Sequence, residues 1–237
     1  MSTDDFDWIF FDCFNTLIDD FDEDGDESGL GSLPALAVEL GFFKAPADFV
    51  NAYFLARAQQ PDGRETLLPE RLARTLAAAP GSHPPQEIAG AVPRLMARWE
   101  EDYARLIRPT PGVREMLAHW SPRKPAAVVS NFFLPKQPEQ FLERFGLRSH
   151  FRFVVDSAHF GYKKPNERIF LHALTLAGLS ADDASRVLFI GDRNDLDIRP
   201  ARHIGMRVLH FNRSRSRSRV ETAAPDVPTI HDWADFR

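Results

Sequence analysis

Short apolar runs alternate with amphipathic stretches along most of the chain. The runs near 8–12, 126–129, 151–155, 187–190 and 208–211 are each bounded by polar or turn-forming residues. Runs of that length and uniformity predict strands buried on both faces, as in a parallel sheet. Between them, apolar residues recur at three-and-four spacing and predict helices at 113–120, near 138–145 and near 167–177. One region breaks the alternation. From about 19 to 107 no strand pattern stands out, and Ile88, Val92, Leu95, Met96, Trp99, Tyr103 and Leu106 form one apolar stripe. That stripe predicts a long amphipathic helix, bent at Pro93, whose apolar face is core. The fold class expected is therefore α/β: a doubly wound parallel sheet carrying an α-helical insertion after its first strand.

Two of the runs end in aspartate, Trp8-Ile-Phe-Phe-Asp12 and Val187-Leu-Phe-Ile-Gly191-Asp192. A strand that ends in Asp before a turn and a helix puts the carboxylate at the carboxyl edge of the sheet, where α/β folds bind ligands. Two like charges aimed at one crevice need a compensating cation, and a hard divalent ion of the Mg2+ type prefers such oxygen donors.

Composition narrows the classes. The 237 residues are 43% hydrophobic, enough for one large domain or a core with an insertion, and the formal charge of -5 favours neither nucleic acid nor anionic membrane. A small anionic substrate would need a local basic site, and oligomeric state is not legible. The acidic N-terminus and the lack of any run near the roughly 20 apolar residues that span a bilayer predict a cytoplasmic protein. Cys13 is the single cysteine, which excludes an intrachain disulfide; alternation along an extended segment points it away from the Asp12 side, into the core.

Four motifs occur in the order of the haloacid dehalogenase superfamily, which the chain resembles over nearly its whole length. They are Asp12-Cys-Phe14-Asn-Thr16, then Ser130-Asn131 after an apolar strand, then Lys164 before Pro165, then Gly191-Asp192 with Asp197 five residues on. The linker Pro-Thr-Pro-Gly-Val-Arg-Glu-Met-Leu precedes the second. The resemblance implies a core from 1–18 and 108–237 with a helical cap at 19–107. It implies Asp12 as nucleophile, and Thr16, Ser130 and Lys164, with Asn131 beside them, as catalytic residues that hold the transferring group. Asn194 would contact substrate. Asp12, the Phe14 main-chain carbonyl, Asp192 and Asp197 would bind Mg2+.

Phe14 departs from the pattern. Phosphatases of the family carry a second Asp there as general acid and base, work worth about a hundred to ten thousand fold. The 2-haloacid dehalogenases carry an aromatic residue at that place and an Asn and an Asp matching Asn194 and Asp197. They also have Ser where this chain has Asp192, Tyr where it has Phe170, and a cap arginine for which Arg57 and Arg64 are candidates. Asp192 favours the metal-dependent reading, a phosphatase-type hydrolase of a small phosphorylated metabolite. A dehalogenase-like carbon–halogen hydrolase and a non-catalytic phosphoester-binding protein are the alternatives.

Three features stand apart from the motifs. Asp20-Phe-Asp22-Glu-Asp24-Gly25-Asp26 resembles the start of an EF-hand loop, but Gly31 stands where a bidentate Glu is required, so the stretch reads as an acidic hinge. The Arg-Ser run at 213–219 reads as a surface loop, since it lacks the interleaved aromatics of a nucleic-acid platform. The eight histidines show no metal-ligand spacing.

Overall fold

The computed structural model describes residues 5–21, 29–58, 62–213 and 226–237. Most of the acidic stretch after Asp20 and the Arg-Ser run beyond Arg213 lie outside those residues.

In chain order the elements are β1 (Trp8–Phe11), β2 (Ile18–Asp19), α1 (Leu33–Glu39), α2 (Pro46–Ala58), α3 (Leu68–Ala77), α4 (Pro85–Leu106), β3 (Arg108–Pro109), α5 (Val113–Trp120), β4 (Ala126–Ser130), α6 (Gln137–Arg144), β5 (Phe153–Asp156), α7 (Ser157–Phe160), α8 (Glu167–Leu176), β6 (Val187–Gly191), α9 (Arg199–His203), β7 (Arg207–Phe211) and β8 (Thr229–Ile230). Six strands form one sheet in the order β5-β4-β1-β6-β7-β8, and every pairing in it is parallel. This is the doubly wound α/β architecture. β1 lies between β4 and β6, with Phe11 beside Val128 on one side and Ile190 on the other. The chain builds outward from β1 to β5, then returns to β6 on the opposite side, so the switch in strand order falls beside β1.

β1, β4 and β6 read as continuous apolar runs because helices cover both faces of the sheet; Ile9, Phe10 and Phe11 have no exposed surface. Phe11 packs on one side with Phe151 and Trp233, and Phe10 on the other with Val129, Ile169 and Phe189. α1 to α4 are inserted between β1 and β4. On α4 the residues facing inward are Ala91, Leu95, Trp99 and Tyr103, a seam at four-residue spacing, with Ile88, Val92, Met96 and Leu106 partly buried at its edges. Pro93 lies inside α4.

The two ends of the insertion carry strand that the sequence pattern does not announce. β2 and β3 pair antiparallel, Ile18 with Pro109 and Asp19 with Arg108, and form a two-residue ribbon where the chain enters and leaves the helical segment. Two residues carry too little periodicity to register in a sequence. Arg213 pairs with Asp19 at this ribbon.

Candidate active site

Asp12 is the first residue beyond β1, and its amide donates to the Ile190 carbonyl of the neighbouring strand at 2.8 Å. The turn that follows needs Asn15 in left-handed backbone, φ 61°, a conformation that Asn tolerates better than most residues. It brings Thr16 back, so that the fully buried Thr16 hydroxyl donates to Asp12 Oδ2 at 3.0 Å. Lys164 Nζ donates to Asp12 Oδ1 at 2.5 Å and to Asp197 Oδ1 at 2.6 Å. Both oxygens of Asp12 are thereby fixed in direction.

Lys164 is itself held by Asn131. The Asn131 side-chain carbonyl accepts from the Lys164 amide at 2.7 Å, and its NH2 donates to the Lys164 carbonyl at 2.9 Å. That reciprocal pair joins the loop after β4 to the segment between α7 and α8 and gives Asn131 a positioning task. Ser130, paired in register with Asp156, is fully buried, and its hydroxyl has no hydrogen-bond partner among the described residues.

After β6 the chain turns through a π-helical segment, Asn194–Ile198, that carries Asp197 back beneath Gly191. A Cβ at position 191 would stand 2.6 Å from Asp197 Cβ and Cγ, so only glycine permits this approach. Asp197 Oδ2 also accepts from the Arg193 amide at 3.0 Å. Buried His210 on β7 places Nε2 2.9 Å from the Asp192 main-chain oxygen, anchoring the same loop.

Asp12, Asp192 and Asp197 each offer an oxygen, all within 4.8 Å of one another. Their electrostatics follow from that crowding. Burial, then the Asp12 and Asp197 charges, push the Asp192 carboxyl well above the ordinary carboxylate range. Burial pushes Asp197 up to about 6, with Lys164 opposing and Asp12 assisting. Lys164 moves the other way: burial disfavours its charge, but Asp12 and Asp197 outweigh burial and hold the ammonium protonated. Three carboxylates crowded around one ammonium, with oxygen donors only, suit a hard divalent cation, whose charge would hold all three ionised. Cys13 is fully buried in the core, and burial, followed by the Asp12 charge, raises its thiol well above the ordinary value.

These groups open onto a cavity of about 250 Å³. Of the residues singled out in the sequence, Asp12, Phe14, Asn131, Lys164, Asp192 and Asp197 line it, while Thr16, Ser130 and Asn194 are not among the lining residues. Phe14 forms an apolar wall, stacked on Phe132 at 4.7 Å and edge-on to Tyr103 and Phe141 at 6.3 Å. Of the two candidate arginines Arg57 reaches the cavity, whereas Arg64 lies over the Tyr162 ring, 5.1 Å from its centroid. Sequence reasoning missed Asp20, Glu65, Arg71 and Lys163, and it placed Tyr103 in the core stripe although Tyr103 also faces the cavity. Tyr53 of α2 also lines the cavity, while the nearby Phe42, Phe43 and Phe49 are core and Phe54 is exposed.

The model of the haloacid dehalogenase-like hydrolases matches residues 6–205. The chain belongs to that family. It is 34% identical to the pyrimidine 5'-nucleotidase YjjG of Escherichia coli over 131 residues, 54% of this chain and 56% of that protein. It is 34% identical to the glyceraldehyde 3-phosphate phosphatase of Methanopyrus kandleri over 105 residues, 44% of this chain and 43% of that protein. The matches thus span about half the length of these curated relatives or less. Among solved structures, a 2-haloacid dehalogenase from Pseudomonas syringae pv. Tomato superposes with TM-score 0.72 at 20% identity, covering 97% of this chain and 96% of that one. A predicted phosphoglycolate phosphatase from Haemophilus somnus superposes at 0.67 and 20% identity, covering 99% and 97%. At that identity the likeness is one of fold. Sequence and fold thus agree on the family, and among the described residues no helix is long and apolar enough to cross a membrane.

Proposed function

We propose that this hydrolase transfers phosphoryl groups from a small phosphorylated metabolite to water, with Mg2+ and with Asp12 as nucleophile. The observation that carries this reading is the cluster of Asp12, Asp192 and Asp197 around one ammonium. The names of the relatives, a nucleotidase and a phosphatase, agree with it. Residues 19–107 act as the helical cap over a core of 1–18 and 108–237; the small cavity limits the substrate to a modest size.

In this reading an Asp12 oxygen attacks phosphorus and the leaving oxygen departs, giving an aspartyl phosphate that water then cleaves. Lys164 donates to the phosphoryl oxygens as charge builds there, while Thr16, its hydroxyl given to Asp12, holds the nucleophile and Ser130 lies buried behind the cavity wall. Lys164 also keeps Asp12 aligned through its bond to Oδ1. Asp12, Asp192, Asp197 and the Phe14 main-chain carbonyl would hold Mg2+, which supplies charge neutralisation for an anionic substrate meeting an anionic nucleophile.

A second reading, carbon–halogen hydrolysis, is favoured by one observation: Phe14 and its aromatic neighbours make an apolar wall where family phosphatases carry Asp. The carboxylate of Asp192 beside Asp12 opposes it, because a metal-free site of that charge repels a carboxylate substrate. Turnover in heavy-oxygen water separates the two, since water attacks phosphorus in an aspartyl phosphate but the carbonyl carbon in an aspartyl alkyl ester. The phosphatase reading predicts label in phosphate released from p-nitrophenyl phosphate and none in Asp12; halide release from a 2-haloacid with label in the Asp12 carboxylate would establish the second. Silence in both channels, with inorganic phosphate still raising Tm, would leave a binding protein.

A further inference from the structure

Phe14 leaves a chemical problem. Its ring is stacked on Phe132 and can neither give nor take a proton, yet expulsion of an alkoxide requires a proton on the leaving oxygen. The proton carrier must come from elsewhere on the cavity wall.

Most candidates there are committed. Asp192 and Asp197 belong to the carboxylate cluster. Glu65 Oε1 accepts from Arg71 Nη2 at 2.7 Å and from the Thr66 amide at 3.0 Å, while its Oε2 accepts from the Ser157 hydroxyl at 2.7 Å. The Tyr53 hydroxyl accepts from Arg71 Nη1 at 3.3 Å. Lys163 stands with this group, its ammonium 3.9 Å from Glu65.

Asp20 is partnered as well, and what sets it apart is its position beside the Phe14 wall. It follows β2 directly, and the β2–β3 ribbon sets it against the end of α4, where the Tyr103 hydroxyl donates to Asp20 Oδ2 at 2.9 Å. The Tyr103 ring in turn meets the Phe14 ring edge-on at 6.3 Å, and Asp20, Tyr103, Phe14 and Asp12 line one cavity. The Asp20 charge also reaches the residue after the nucleophile, where it helps to raise the Cys13 thiol. The tyrosine bond fixes one carboxylate oxygen and with it the orientation of the other.

We propose that Asp20, oriented by Tyr103 at the Phe14 wall, carries the proton transfers that Phe14 cannot. The inference rests on the phosphatase reading. In the first step the bond between Asp12 oxygen and phosphorus forms, the bond from phosphorus to the leaving oxygen breaks, and the proton of the Asp20 carboxylic acid passes to that oxygen, releasing an alcohol. In the second, a water oxygen bonds to phosphorus and the bond from Asp12 oxygen to phosphorus breaks. The water proton returns to the Asp20 carboxylate, phosphate leaves, and both carboxyl groups regain their starting forms. Tyr103 is a positioning residue in this scheme.

The test compares two phosphate monoesters on the Mg2+-loaded protein: glycerol phosphate, whose alkoxide needs a proton, and p-nitrophenyl phosphate, whose phenolate does not. Asp20→Asn is expected to lower kcat/KM for glycerol phosphate about a hundredfold, at least tenfold more than for the aryl ester. Tyr103→Phe is expected to shift the same ratio in the same direction by a smaller factor, and it carries the test alone if Asp20→Asn does not fold. Adding Phe14→Asp to Asp20→Asn is expected to restore glycerol phosphate turnover. Equal losses on the two esters, or no loss on either, overturn the assignment of Asp20. A wild-type chain that releases phosphate from neither ester overturns the phosphatase reading and this inference with it.

Discussion

Asp192 illustrates how a single residue here serves the site at the expense of the fold. Its carboxyl is pushed well above the ordinary range by burial and by the Asp12 and Asp197 charges. A raised folded-state value means that the stability it allows is fully present only below the unfolded-state value, near 3.8, and is lost as pH rises through the folded one. The group therefore burdens the metal-free native state at neutral pH, through its charge or through the proton it has to hold. Asp192→Asn is expected to melt at higher temperature than the wild type at pH 7 in EDTA, with the two Tm values converging as pH falls toward about 4. Mg2+ is expected to raise the wild-type Tm and to raise that of the variant less. Thermal melts across pH check both, and a variant less stable than the wild type at pH 7 would contradict the electrostatic account.

The loop between α2 and α3 ties the helical segment to the sheet. Glu65 and Arg71 pair at 2.7 Å with side chains 3% and 4% exposed, Ser157 donates to the same carboxylate, and the backbone runs beside 161–163 through Glu65 N to Gly161 O and Lys163 N to Gly63 O. Glu65→Ala leaves Arg71 buried without its counter-charge and is expected to cost about 3–5 kcal/mol in urea unfolding; replacing Arg71 by Met as well should recover much of that. A loss no larger than that of a surface substitution, about 0.5 kcal/mol, would mean that the pair does not hold the loop. This loop also marks what could be read from the chain. Asp12, Ser130, Lys164 and Asp192 were legible because each ends an apolar run or adjoins a proline, so local pattern fixes the sheet edge they occupy. Glu65 and Arg71 come from segments whose local pattern is ordinary, and only contact with Ser157, Phe133 and the 161–163 loop turns them toward the cavity. The two-residue ribbon that places Asp20 has no periodicity to detect. Tyr103 was legible as one of an apolar stripe, but its hydroxyl partner was not.

At the scale of the molecule, one apolar cluster runs from Leu72, Leu76 and Leu95 of the helical segment through Trp99 and Phe132 to Phe11 and Trp233 of the sheet layer. Helices and sheet thus share a core, and the cavity lies where they meet, with the carboxylates on the sheet side and Arg57, Arg71 and Tyr103 on the helix side. That arrangement suits a small anion held between the nucleophile on one side and cationic and hydroxyl groups on the other, where preorganised donors act on developing charge. The central claim is that Asp12 carries out metal-dependent phosphoryl transfer. The direct measurement is phosphate release from p-nitrophenyl phosphate by the wild type and by Asp12→Asn, each with Mg2+ and with EDTA, with halide release from a 2-haloacid read in parallel. The account predicts phosphate from the wild type with Mg2+, a fall of about a thousandfold or more in each of the other arms, and no halide. Phosphate release that survives Asp12→Asn or EDTA, or halide in place of phosphate, would contradict it.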